Sequence, residues 1–127
     1  MIMTRTVIAA VDDMFFASKI RATAEHLNVN IRFVRNVDAL KSAARETQAA
    51  LIVVDLHSLK IDPIALATLL KADDDLRSIP LLAFFSHVQT ELHSEAMRAG
   101  YDTVIPRSVF SRDLGKILAG QDEGRKG

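Results

Sequence analysis

Cysteine and tryptophan are both missing from this chain. Without cysteine there is no disulfide framework, no thiol nucleophile and no thiolate metal site. Proline and glycine are scarce, at 3 and 5 residues, and no linker, repeat or low-complexity stretch is found. An excess of either charge is also lacking. Sixteen basic residues balance sixteen acidic ones, a net formal charge of zero, so nucleic acid is not expected as a partner. No apolar run approaches the ~20 residues of a membrane span. The first residues, Met1-Ile2-Met3-Thr4-Arg5, lack a signal-peptide core of normal length. A cytoplasmic protein without a membrane partner is expected.

What is present suits an ordinary soluble protein: 127 residues, 49% hydrophobic and 25% charged. That length supports one domain around one core, read here as residues 1–120. The tail, Gln121 to Gly127, has no apolar anchor and is expected to fray.

Strand-like and helix-like segments alternate. Val7 to Val11 is a continuous apolar run, as expected of a strand covered on both faces. Phe16, Ile20, Ala24 and Leu27 then recur at helical spacing. Ile31 to Val34 partly alternates, which suits a strand nearer a sheet edge. Asn36-Val37-Asp38 offers a cap to a helix carrying Leu40, Ala43 and Ala44. Leu51 to Asp55 is the third strand. Asp62-Pro63 starts a helix with Leu66, Leu69 and Leu70 on its buried stripe. Leu81 to Phe85 is the fourth strand, followed by a helix from about Thr90 to Ala99, which Gly100 can close. Thr103-Val104-Ile105 is a short last strand, reaching Pro106-Arg107. One final helix is expected from about Ser111 to Leu118, ended by Gly120. This order, βα five times over, predicts a doubly wound α/β fold: a parallel sheet with helices on both faces.

In such a sheet the carboxyl ends of the strands meet at one edge, where ligands bind. Asp12 and Asp13 follow strand one, Asp55 ends strand three, Ser86 and His87 follow strand four, and Arg107 lies past strand five. Two bare carboxylates ~4 Å apart repel by about 4 kcal/mol at an effective dielectric of ~20. A metal ion is the simplest remedy, and hard oxygen ligands suit Mg²⁺. A carboxylate can also attack phosphorus to give an aspartyl phosphate. That chemistry needs positive charge for the phosphoryl oxygens and a hydroxyl to bond one of them.

On these residues the sequence resembles the receiver domain of two-component response regulators, from about Val7 to Leu118. Asp12-Asp13, Val53-Val54-Asp55-Leu56, Pro80 to Ser86 and Ala99-Gly100-Tyr101-Asp102 carry the likeness. It implies a flavodoxin-like sheet of five strands in the order 2-1-3-4-5. It implies that Asp55 accepts a phosphoryl group from a histidine kinase or phosphotransfer protein, with Ser86 as the switch hydroxyl. It implies Mg²⁺ held by Asp13, Asp55 and the backbone carbonyl of His57, with Asp12 helping through water. A receiver is a phosphoacceptor, not an enzyme in the usual sense. As the chain ends just after the last helix, a stand-alone receiver is expected. It would signal through the face built from the fourth helix, fifth strand and fifth helix.

Four positions depart from the receiver pattern. Arg107-Ser108 stands where the family has lysine-proline, and arginine is bulkier and forked. His87 follows the switch hydroxyl, where a small residue is usual. Ile105 replaces the aromatic that rotates with the switch, and Leu59 replaces a proline. These departures motivate the alternative of a pseudo-receiver, a phosphorylation-independent interaction module.

Blander readings compete at each position. An Asp after a strand is commonly a turn former or helix cap. Ser86 alone reads as a turn hydroxyl, and Arg107 as a surface cation or a structural ion pair. His57 and His87 read as exposed loop residues, and His26 and His93 as helical residues without a role. Asp73-Asp74-Asp75 reads as a solvated turn. The phenylalanines read as core, except that Phe15 or Phe110 is a candidate for a partner surface. A flavin carrier is disfavoured because Asp12-Asp13 repels a flavin phosphate. A haloacid-dehalogenase-type phosphatase would need Asp-x-Asp after strand one, which is absent.

Overall fold

The computed structural model describes residues 5–121, so the expected frayed tail lies outside the described residues from 122 on. The continuous apolar runs become the middle of a sheet. β1 (Thr6–Ala10) and β3 (Leu51–Asp55) are buried at every position. β4 (Leu81–Phe85) is buried except at its last residue. β2 (Asn30–Phe33) and β5 (Thr103–Pro106) carry only exposed and half-buried residues, as sheet edges do. All pairings are parallel, in the order β2-β1-β3-β4-β5. The expected doubly wound fold and strand order are therefore observed.

The helices are α1 (Met14–His26), α2 (Val37–Thr47), α3 (Pro63–Lys71), α4 (Thr90–Ala99), α5 (Arg107–Arg112) and α6 (Leu114–Ala119). Local sequence sets their starts. Asn36 accepts the Ala39 amide at the head of α2, and Asp62 accepts those of Ile64 and Ala65 at the head of α3. Gly100, at φ 126°, ends α4 in a conformation side chains rarely adopt.

The expected single last helix is instead two short ones. The break falls at Asp113, whose backbone sits at φ −101°, ψ 14°. Phe110, Leu114, Ile117 and Leu118 are buried in both pieces, so the apolar spacing survives the break and hides it in the sequence.

Alternation along the strands divides the core in two. Ile8, Ile52 and Val54 pack with Leu40, Leu66 and Leu70, on the face covered by α2, α3 and α4. Val7, Val53 and Phe84 pack with Phe16, Ile20, Phe110 and Leu118, on the face covered by α1, α5 and α6. Phe84 and Phe110 stack at 4.9 Å, with Phe16 edge-on to both. Phe110 is thus core rather than surface, whereas Phe15 is exposed. No helix among the described residues is long and apolar enough to cross a membrane.

Candidate functional site

The strand ends bring Asp12, Asp13, Asp55, Ser86, His87 and Arg107 to one edge of the sheet. Asp55 is the last residue of β3 and only 8% exposed. Its Oδ1 accepts the His57 amide at 2.8 Å, and no other hydrogen bond reaches its carboxylate among the described residues. Burial raises its pKa above the ordinary carboxylate value, and the nearby charge of Asp12 adds to the rise. The His57 amide, His57 itself and Arg107 act in the opposite sense.

Asp12 and Asp13 point into different partnerships. Asp12 reaches across to the loop after β3, where its Oδ2 accepts the Leu59 amide at 2.8 Å. The Ser58 hydroxyl lies 3.2 Å from both of its oxygens. Asp13 caps α1: its Oδ1 accepts the amides of Phe15 (2.9 Å) and Phe16 (3.1 Å). Its Oδ2 accepts from Arg107 Nη2 at 3.0 Å. The Phe16 amide and the Arg107 guanidinium hold the Asp13 carboxyl below its usual value. The guanidinium carbon of Arg107 also lies 4.0 Å from the centre of the Phe16 ring, a cation–π contact.

Ser86 and His87 are exposed at the lip, beyond β4. The His87 ring meets that of His57 edge-on at 5.6 Å. His57 Nε2 is buried without a hydrogen-bond partner. Beside them a cleft of about 300 Å³ is lined by Leu56, Phe85, His87, Val88, Leu92 and His93. Met14, Phe15, Leu59 and Val88, in the segments around this edge, are each at least 80% exposed. Ile105 is half-buried.

The donor chemistry of three carboxylates suits a hard cation, but their arrangement does not fit one. Among the described residues no three His, Asp or Glu side chains gather closely enough to hold a metal ion. Both oxygens of Asp12 and both of Asp13 are engaged by protein donors.

Sequence reading located the acids and Arg107 but missed two partners. Ser58 gave no signal, because its contact with Asp12 spans 46 residues. Phe16 was legible as core, but nothing in the sequence marks it as the ring beneath Arg107.

No protein-family model matches the chain, and a search of curated proteins finds no match. Solved structures do match. One is the phosphorylated cyanobacterial phytochrome response regulator RcpA, at 18% identity over 94% of this chain and 92% of that one, with a TM-score of 0.75. Another is the receiver domain of a sensor histidine kinase from Pseudomonas aeruginosa, with a magnesium ion coordinated in its active-site cleft. It matches at 15% identity over 92% and 96%, with a TM-score of 0.77. A third is the chemotaxis response regulator CheY4 of Vibrio cholerae, at 13% identity over 92% and 98%, also at 0.77. At these identities the likeness establishes the fold: five parallel strands in the receiver order, with helices between them.

Proposed function

From this receiver fold, and from the acid at the end of its central strand, we propose that the protein is a receiver module of phosphorelay signalling that accepts a phosphoryl group on Asp55. The observation that carries the reading is the state of Asp55. Of the three acids it alone keeps an oxygen with no hydrogen bond from the protein, at a strand end buried among apolar neighbours. A histidine kinase or phosphotransfer protein would be the donor. The ionised carboxylate attacks phosphorus, the P–N bond of the donor's phosphohistidine breaks, and the released imidazole nitrogen keeps the bonding pair and takes up a proton. The product is an acyl phosphate on Asp55. Arg107 supplies positive charge at the same edge, and the Ser86 hydroxyl donates to a phosphoryl oxygen once one is present. No substrate is turned over, since the acceptor is the protein's own side chain. Output runs through protein contacts on the face of α4, β5 and the broken last helix, α5 and α6.

Acetyl phosphate with Mg²⁺, and separately with a chelator, tests this. The expected result is the mass of one phosphoryl group, lost in Asp55→Asn, with amide shifts centred on Asp55 and Ser86 in NMR spectra; beryllofluoride should give the same shifts. An unmodified chain with unchanged amides sinks the reading.

A second reading, the pseudo-receiver, is favoured by the occupied state of Asp12 and Asp13. Here the module binds partners whether or not Asp55 is modified. Asp55→Ala then leaves signalling in cells intact, and a lost phenotype refutes it.

A further inference from the structure

We infer that Arg107 is the resident cation of this acid site and keeps divalent cations out of it. Asp13 has one oxygen on the first turn of α1 and the other on Arg107 Nη2 at 3.0 Å. A metal ion approaching Asp13 would have to displace one of these donors or share the carboxylate with a guanidinium. Arg107 is fixed on two sides at once. Its Nη2 is on Asp13, and its guanidinium carbon lies 4.0 Å from the centre of the Phe16 ring. A lysine in its place would keep the charge but lose the stacking of a planar fork. Its backbone is set as the first residue of α5, directly after Pro106. Asp12, the next acid, is engaged by Ser58 and the Leu59 amide. Magnesium demands near-ideal octahedral geometry and is reluctant to lose its waters, so an approach needing two displaced protein contacts is unfavourable. Arg107 and the metal are thus competitors for one carboxylate, and their effects are reciprocal by linkage. The inference stands on the geometry of Asp13 and Arg107 and does not require that Asp55 be phosphorylated.

The test uses the full chain as wild type, Arg107→Gln and Arg107→Lys. Mg²⁺ is titrated against amide shifts, and Mn²⁺ against paramagnetic broadening near Asp13 and Asp55. Arg107→Gln keeps a long polar side chain and removes the charge, so its Mg²⁺ affinity is expected to rise roughly 5- to 150-fold over wild type. Arg107→Lys should fall between the two. Should Arg107→Gln fail to fold, Arg107→Lys alone must bind Mg²⁺ more tightly than wild type. Equal affinities in wild type and variants overturn the inference, whatever happens at Asp55. Conversely, tighter Mg²⁺ binding by the variants in a chain never modified at Asp55 keeps this inference and removes the phosphorelay reading.

Discussion

Asp13 and Asp55 are the same residue type at the same edge of one sheet, yet their surroundings push them in opposite directions. Asp13 is stabilised in its charged form by the α1 amides and by Arg107. Its contribution to stability is present above the ordinary carboxylate pKa and is lost as pH falls through its own lowered value. Asp55 is penalised in its charged form by burial. For it, stability is full below the ordinary value and is lost as pH rises through the raised one. Asp55→Asn should therefore melt at a higher temperature than wild type at neutral pH, with the gap closing below about pH 4. Asp13→Asn should melt lower at neutral pH, its deficit also shrinking as the pH falls. Thermal melts across that range check both, and a gap independent of pH would remove the electrostatic cause. The bland sequence reading of Asp13 as a helix cap describes what it does, since its Oδ1 accepts two amides of α1. Residue type and position were legible; the partner of each oxygen was not, because Ser58 and Arg107 reach their acids only after the strands align.

Elements were more legible than contacts. β1 and β3 announce themselves by unbroken apolar runs, β2 by its mixed pattern, and α3 by Asp62-Pro63. Each of these signals is local, so it survives without knowledge of the fold. The last helix was misjudged because its buried positions keep helical spacing across the break at Asp113. Periodicity reports which face is buried, not whether the backbone is continuous. The cap of α3 gives a clean test at this scale. Asp62 accepts two amides of the first turn, at 3.0 and 3.2 Å. Asp62→Ala should lower the free energy of unfolding by about 0.5–2 kcal/mol in urea melts. A change within error would mean that tertiary packing alone sets the start of α3.

At the scale of the molecule, one sheet serves two cores, and the acids sit where its strands end. That arrangement followed from the alternating order of elements, which is why the doubly wound class was readable. The finer state of the site was not, since it depends on side chains far apart in sequence. The Asp13–Arg107 pair shows what such distance means in time. Its members are 94 residues apart, so the pair cannot close until β1 and β5 have joined the same sheet and α1 and α5 have docked. Local turns and adjacent strand pairs form first because their loop-closure entropy is smaller. The pair is therefore expected to be absent from the folding transition state and among the last contacts made. Arg107→Ala should leave the folding limb of a chevron plot unmoved and raise the unfolding rate without changing its slope, with a φ-value near zero. The same contact that guards the acid site would thereby act as a clasp fastened after assembly, setting how long the folded chain lasts rather than how quickly it is made.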